Sequence, residues 1–144
     1  MIAADTNIFV YAANQNSTHF QASRAFLQSH QDNPDFVLCE LVLVELYMCL
    51  RNPAIMRSPL SATRAVTYCE ALRSNPNWQV VDAAPEIRSD LWQLAKKDHF
   101  PYRRIIDARL GLSLVFHRVT EFATMNVKDF QDFGFSKVWN PLTP

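Results

Sequence analysis

The sequence predicts a three-layer α/β domain with a mostly parallel central sheet. Three observations carry this reading. Short apolar runs alternate with longer segments of helical periodicity from one end of the chain to the other, the pattern of β–α–β units. No repeat or low-complexity segment interrupts that alternation. The 144 residues, 49% of them hydrophobic, suffice for one core, so residues 1–144 are expected to form a single domain.

The elements follow in order. "MIAA" (1–4) is short and apolar and reads as the buried edge of a first strand. "NIFVYAA" continues as a helix whose N-terminus lies near Asp5. In residues 17–30, Phe20, Ala22, Ala25, Phe26 and Leu27 recur at helical spacing, with Ser17 or Thr18 as N-cap. "NPD" then makes a turn, and "FVL" (36–38) is a strand candidate. "CELVLVELYMCLRNP" reads as a helix that ends before Pro53. A further helix covers about 61–73, and "WQVV" (78–81) is a strand candidate. "APEIRSDLWQLAKKD" carries proline in its first turn and reads as a helix. "RRIIDARLGLSLVFH" is the last long helix, followed by a short strand in "VTEFAT" (119–124) and another in "KVWNP".

Composition removes several function classes. Glycine occurs twice, at Gly111 and Gly134, where roughly 7% usage would give about ten. Phosphate-binding loops and dinucleotide fingerprints need several glycines for close backbone approach, so both are excluded. Lys+Arg and Asp+Glu are both 14, so a uniformly basic nucleic-acid-binding surface is not expected, and any such contact must come from a local patch. Cys39, Cys49 and Cys69 form no CxxC, and the four histidines show no metal-ligand spacing. Asp5 interrupts the opening apolar run and no basic segment precedes it, so no signal peptide is expected and a reduced, cytoplasmic protein is. The longest apolar stretch, residues 36–50, holds Glu40 and Glu45 and is too short to span a membrane.

Three carboxylates sit where apolar residues surround them. Asp5 ends the first strand, and alone it is equally a helix cap or a site residue. Glu45 lies in "LVLVELYMCL" with apolar neighbours throughout. A buried carboxylate asks for a metal, a cation or a raised pKa, and Arg51 is too far along the helix to be its i+4 partner. Glu40 lies five residues earlier, about 140° around the axis, and is better explained by the helix macrodipole. Asp107 could pair with Arg103 or Arg104 on its own helix face, or it could join the site. In a parallel sheet, ligands sit at the carboxyl ends of strands where strand order reverses. Asp5 and Asn126 both follow strands and would project toward that edge. Carboxylates converging there repel one another unless a cation neutralises them, and hard oxygen ligands suit Mg²⁺ or Mn²⁺. Such a cluster fits metal-assisted phosphodiester hydrolysis.

"DTNIFVYA" (5–12), "LVELYMCLRNP" (43–53), "IIDARLGL" (105–112) and "ATMNVKDF" (123–130) together resemble the four motifs of the PIN-domain nucleases, with VapC-type toxins of bacterial toxin–antitoxin pairs as the nearest group. The resemblance runs from Asp5 to the last strand. Each motif is weak alone, and the ordered set is fairly specific. It places the family's acids on Asp5, Glu45 and Asp107, and its fourth position, often aspartate, on Asn126. It implies a Mg²⁺-dependent endoribonuclease toxin of a type II toxin–antitoxin pair. Asp5 and Asp107 would bind the metal. Glu45 would bind a second metal or orient the attacking water, and Asn126 would complete the pocket. An amide at 126 adds no negative charge, which implies one tightly held metal rather than two. Asp129 could partly substitute, although a capping or surface role is preferred for it. Thr6, Asn7 and Thr124 would support the carboxylates by hydrogen bonds, or Thr6 and Asn7 simply cap the helix.

Residues 96–118 hold Lys96, Lys97, Arg103, Arg104, Arg109 and Arg118 against Asp98 and Asp107, with His99, Phe100 and Tyr102 interleaved. Basic residues with aromatics suit single-stranded RNA, so Lys96, Lys97, Arg103 and Arg104 are the substrate-binding candidates. The plain alternative is a solvated helix end, or arginines that shield Asp107. The resemblance further implies a VapB-like antitoxin, whose tail usually occupies this groove in the family, and a homodimer, with surfaces along the helices at 17–30 and 61–73. Two rivals stand beside this reading. One is a catalytically weak RNA- or protein-binding module, which Asn126 would suit. The other is a phosphatase-like hydrolase with Asp5 as nucleophile, which lacks the usual second aspartate because Asn7 stands there.

Overall fold

A computed structural model describes residues 1–143. Its centre is a five-stranded sheet in the order β3-β2-β1-β4-β5, formed by β1 (Ile2–Ala4), β2 (Phe36–Cys39), β3 (Gln79–Val81), β4 (Glu121–Ala123) and β5 (Lys137–Trp139). Every pairing is parallel, so the sheet is wholly rather than mostly parallel. β2 is buried along its whole length, as the unbroken apolar run "FVLC" requires when helices cover both faces. The edge strands β3 and β5 are the exposed ones, and β5 opens on Lys137, whose ammonium lies 4.3 Å from the Trp139 ring centroid. A charged edge discourages pairing with a further strand.

The chain builds outward from β1 to β2 and β3, then returns to place β4 and β5 on the other side of β1. β1 is thus the middle strand, and its carboxyl end beside β4 is the point where strand order reverses. There Ile2, Ala3 and Ala4 pair with Glu121, Phe122 and Ala123. The segments that leave β1 and β4, beginning at Asp5 and Thr124, therefore start side by side.

The helices fall into two packing groups that complete the three layers. One is α1 (Thr6–Ala13), α2 (Phe20–Ser29), α3 (Glu40–Leu50) and α4 (Ala62–Arg73). The other is a 3-10 turn (Pro85–Ile87) with α5 (Arg88–Ala95), α6 (Arg104–Phe116) and α7 (Val127–Phe130). Phe9, Phe36, Phe122 and Phe130 are fully buried between them, each carrying a large apolar area out of water. α4 starts at the Ser61 cap, whose hydroxyl accepts the Arg64 N–H at 3.3 Å. α6 ends in a Schellman motif: Arg118 N–H reaches Val115 O at 2.9 Å and Val119 N–H reaches Leu114 O at 3.0 Å. Arg118 takes a φ of 66° there, at a position glycine fills more easily. On α6, Gly111 leaves room for the Phe133 ring, since a Cβ at 111 would sit 2.4 Å from Phe133 Cδ2.

Several boundaries differ from the sequence-based expectation. The second helix begins at Phe20, not near Ser17, because the Ser17 hydroxyl accepts the His19 N–H at 3.0 Å and holds residues 17–19 in a turn. The helix predicted from 84 to 98 opens as a 3-10 turn at Pro85 and stops at Ala95. The four-residue α7 is too short to show a period in sequence and was not expected.

Candidate active site

Asp5 is the N-cap of α1, one of its two sequence readings, and it also lies at the centre of a small polar cluster. Its Oδ1 accepts the Thr6 N–H at 2.7 Å. Its Oδ2 accepts the Thr124 hydroxyl at 2.7 Å and the Asn7 amide at 3.2 Å. The Asp5 N–H donates to Ala123 O at 2.9 Å, which ties the start of α1 to the end of β4. Thr124 Oγ1 in turn accepts the Asn126 N–H at 3.0 Å. This one hydroxyl orients both the first acid and the turn that carries Asn126.

A cavity of about 320 Å³ opens beside Asp5, and Glu45, Asp107 and Asn126 line it together with Thr6 and Asn7. Four distant segments thus meet where the strand order reverses, as expected for an open parallel sheet. Asp5 is 7% exposed, and burial pushes its carboxyl up to about 6 against the hydrogen bonds from Thr124 and Thr6. Half-buried Glu45 is raised to about 7, first by desolvation and then by the charges of Asp5 and Asp107. The Thr6 side chain eases this slightly, yet no formed hydrogen bond joins the two, and Thr6 Oγ1 is buried without a partner. Asp107, in the first turn of α6, is raised by burial and by Asp129, with Arg104 pulling the other way.

Among the described residues no ion pair joins Asp107 to Arg103 or Arg104, and no Lys, Arg or His lines the cavity. Three acids therefore face one cavity with no cationic side chain among them. The oxygens Thr6 Oγ1 and Asn7 Oδ1 are buried there without partners as well. This donor set is hard, acidic and under-neutralised, which fits a divalent cation. Among the described residues, no three His, Cys, Asp or Glu side chains close around a single point to hold an ion by themselves. The arrangement suits Mg²⁺, which keeps several waters and takes one or two carboxylates, better than an ion that needs a full protein cage.

The remaining predicted residues divide. Glu40 lies outside the site, gripped by both nitrogens of the Arg73 fork at 2.5 and 2.8 Å. Asp129 does not line the cavity, though its charge reaches Asp5 and Asp107. Lys96 and Lys97 line a separate cavity of about 630 Å³ with His99, Phe100 and Arg104. Arg103 is exposed and lies against Tyr102. Arg104 is not a free surface cation. Its guanidinium sits between the Phe100 and Phe133 rings at 6.0 and 5.9 Å, and Nη2 donates to Asp129 O at 2.7 Å. Tyr11, Cys49 and Ile55 also line the carboxylate cavity and were not foreseen. Two of them carry a readable signal. Tyr11 is four residues after Asn7 on α1, and Cys49 four after Glu45 on α3, so each shares the helix face of a site residue.

The PIN domain family matches residues 2–124. Ribonuclease VapC24 of Mycobacterium tuberculosis is 43% identical over 143 residues, which covers 99% of this chain and 98% of the relative. Among solved structures, Mycobacterium tuberculosis VapC20, described as a Sarcin-Ricin loop cleaving toxin, superposes with a TM-score of 0.64 at 17% identity, covering 85% of this chain and 87% of its own. FitAcB from Neisseria gonorrhoeae gives a TM-score of 0.63 at 19% identity over 98% of both chains. VapBC2 from Rickettsia felis, solved bound to a DNA fragment from the promoter, gives 0.59 at 19% identity, covering 97% of this chain and 98% of its own. The chain belongs to the PIN-domain family, in its VapC-type ribonuclease branch.

Proposed function

We propose that this protein is a Mg²⁺-dependent endoribonuclease toxin of a type II toxin–antitoxin pair. The observation that carries the proposal is the cavity where Asp5, Glu45 and Asp107 meet with no cationic side chain and with two unpartnered oxygens. Asp5 and Asp107 are the ligands for Mg²⁺, with Mn²⁺ as the alternative ion. When bound, the ion lowers the pKa of water and offsets charge on the phosphate. Thr124, Thr6 and Asn7 hold the Asp5 carboxylate in one orientation through their hydrogen bonds. Glu45, half-buried and lining the same cavity as Asp5 and Asp107, can take a proton from the attacking water. Asn126 stands at the exposed rim, where its amide orients water or a phosphate oxygen without adding charge. Lys96, Lys97 and Arg103 supply positive charge for the RNA backbone.

The partner reading rests on a second region. A cavity of about 540 Å³ between α2 and α4 is lined by Phe20, Leu27, Tyr68 and Trp78, with Arg24 at its side, and is the groove we assign to a VapB-like antitoxin. Val44 and Met48 on α3 and Val66 on α4 are exposed, which suits a homodimer contact. Among the described residues, no helix is long and apolar enough to cross a membrane.

Incubation of the purified protein with single-stranded RNA in Mg²⁺, in Mn²⁺ and in EDTA tests the proposal. Discrete cleavage is expected with either ion, and none is expected with EDTA or with Asp5→Asn. Equal cleavage in EDTA and in Mg²⁺ would overturn the metal assignment. Tight RNA binding without cleavage under all conditions would favour the weakened binding module that Asn126 suits.

A further inference from the structure

The most exposed large apolar side chain in the described residues is Tyr102, at 78%, and it lies just ahead of the helix that carries Asp107. It takes no part in the carboxylate cavity. A tyrosine left this open forgoes the gain of burial, which leaves its ring free for a ligand. Its setting is ordered. Arg103 Nε donates to the Tyr102 hydroxyl at 3.1 Å, and the guanidinium lies 5.6 Å from the ring centroid. The backbone is already turning: Arg104 N–H bonds Pro101 O at 2.9 Å and Ile105 N–H bonds Tyr102 O at 3.4 Å. Ile106, in the first turn of α6, is 51% exposed as well. Braced by Arg103, the exposed Tyr102 ring forms an aromatic step. Arg104, clamped between Phe100 and Phe133, anchors the loop from behind.

The chemistry around the step points to a nucleic-acid base. Lys96, Lys97 and Arg104 line the neighbouring cavity with Asp98, a lining of net positive charge close to an exposed aromatic ring. By chain length, two extended residues and three helical ones, the Cα of Tyr102 lies at most about 12 Å from that of Asp107. A base stacked at the step belongs to a nucleotide near the carboxylate cavity. Resting on the reading of RNA as substrate, we propose that Tyr102, braced by Arg103, is the base-stacking platform that sets which nucleotide lies beside the carboxylates. Tyr102 is a positioning and specificity residue here, and the bond-breaking groups remain those of the cavity. The face accepts any base that is unpaired, and preference among bases comes from stacking strength.

The test uses short single-stranded RNAs that carry the fluorescent base 2-aminopurine at one position at a time, bound to the full-length Asp5→Asn protein. Stacking is expected to quench the fluorescence at one position and leave the others bright. Tyr102→Ala in that background should abolish the quenching and weaken binding roughly ten-fold, while Tyr102→Trp restores both. In the active protein Tyr102→Ala should raise KM with kcat little changed and with an unaltered melting temperature, since the ring is exposed. Quenching and KM that are indifferent to Tyr102→Ala overturn the platform. Tyr102-dependent quenching with no cleavage by the unsubstituted protein overturns the nuclease reading and leaves the platform standing.

Discussion

Replacing Asp5 with asparagine should abolish cleavage and, without metal, make the protein more stable. The folded carboxyl keeps its proton to about pH 6, whereas the ordinary value is 3.8. As pH rises between those values the unfolded chain releases its proton first, so folding stability falls through that window and is flat above it. A shift of about two units corresponds to about 3 kcal/mol at neutral pH. The substitution would remove that cost but alter two hydrogen bonds. The new amide's Oδ1 keeps the Thr6 N–H, and its nitrogen replaces the oxygen that now accepts Thr124 and Asn7. The Thr124 hydroxyl can turn to accept, and Asn7 can turn its unpartnered Oδ1 toward the new donor. Loss of the charge-assisted bonds costs about 1–2 kcal/mol, which leaves a net gain of about 1–2 kcal/mol. For a chain of this size the gain is roughly 3–8 °C in Tm. Circular-dichroism melts of both proteins in EDTA between pH 3.5 and 8 measure it. Near pH 3.5, where the carboxyl is largely protonated folded and unfolded, the variant should be less stable by the about 1–2 kcal/mol of reworked bonds, and the difference should reverse sign as pH rises to about 6 and then level off. Mg²⁺ should then stabilise only the unsubstituted protein, by mass action on its folded state. A variant less stable than the unsubstituted protein at pH 7.5, or a difference independent of pH, would refute the reasoning.

Three further outcomes follow from the structure. Glu45→Gln should lower kcat roughly 100-fold at saturating Mg²⁺ while the melting curve stays cooperative, because the amide cannot take a proton from the attacking water; an unchanged kcat would contradict it. Gly111→Ala should cost about 1–3 kcal/mol in a denaturant melt, because the new methyl would meet the Phe133 ring at 2.4 Å. Arg118→Gly should stabilise by about 0.5–1 kcal/mol, since φ of 66° strains any side chain and the gain is only partly offset by the extra freedom of unfolded glycine; an unchanged Tm would contradict it.

Much of the site is legible in the sequence because buried charge is conspicuous. Glu45 stands alone among apolar neighbours, and the structure raises its pKa by the desolvation that the sequence suggests. Asp5 is ambiguous in sequence because a cap and a site need the same residue at the same place, and in the structure the residue that caps α1 also lines the cavity. That Asp5 and Thr124 both leave the carboxyl edge of the sheet follows from the alternation of elements. The order β3-β2-β1-β4-β5 does not, because pairing depends on contacts far apart in sequence. The enclosure of Arg104 is not legible for the same reason, although the pull of Arg104 on Asp107 fits the shielding alternative. Nothing near it in sequence announces that Phe133 and the Asp129 carbonyl will enclose it. α7 is hidden because four residues show no period. Tyr11 and Cys49 are marked only by their helical spacing from Asn7 and Glu45, a signal that many core residues share.

The central claim, that these carboxylates make the protein an RNA-cutting toxin, is tested most directly in growing cells. The protein and its Asp5→Asn variant are induced separately, growth is followed, and total RNA is profiled for new ends. Growth arrest with discrete new RNA ends from the unsubstituted protein alone is the predicted result. Arrest by both proteins, with identical RNA profiles, would contradict it.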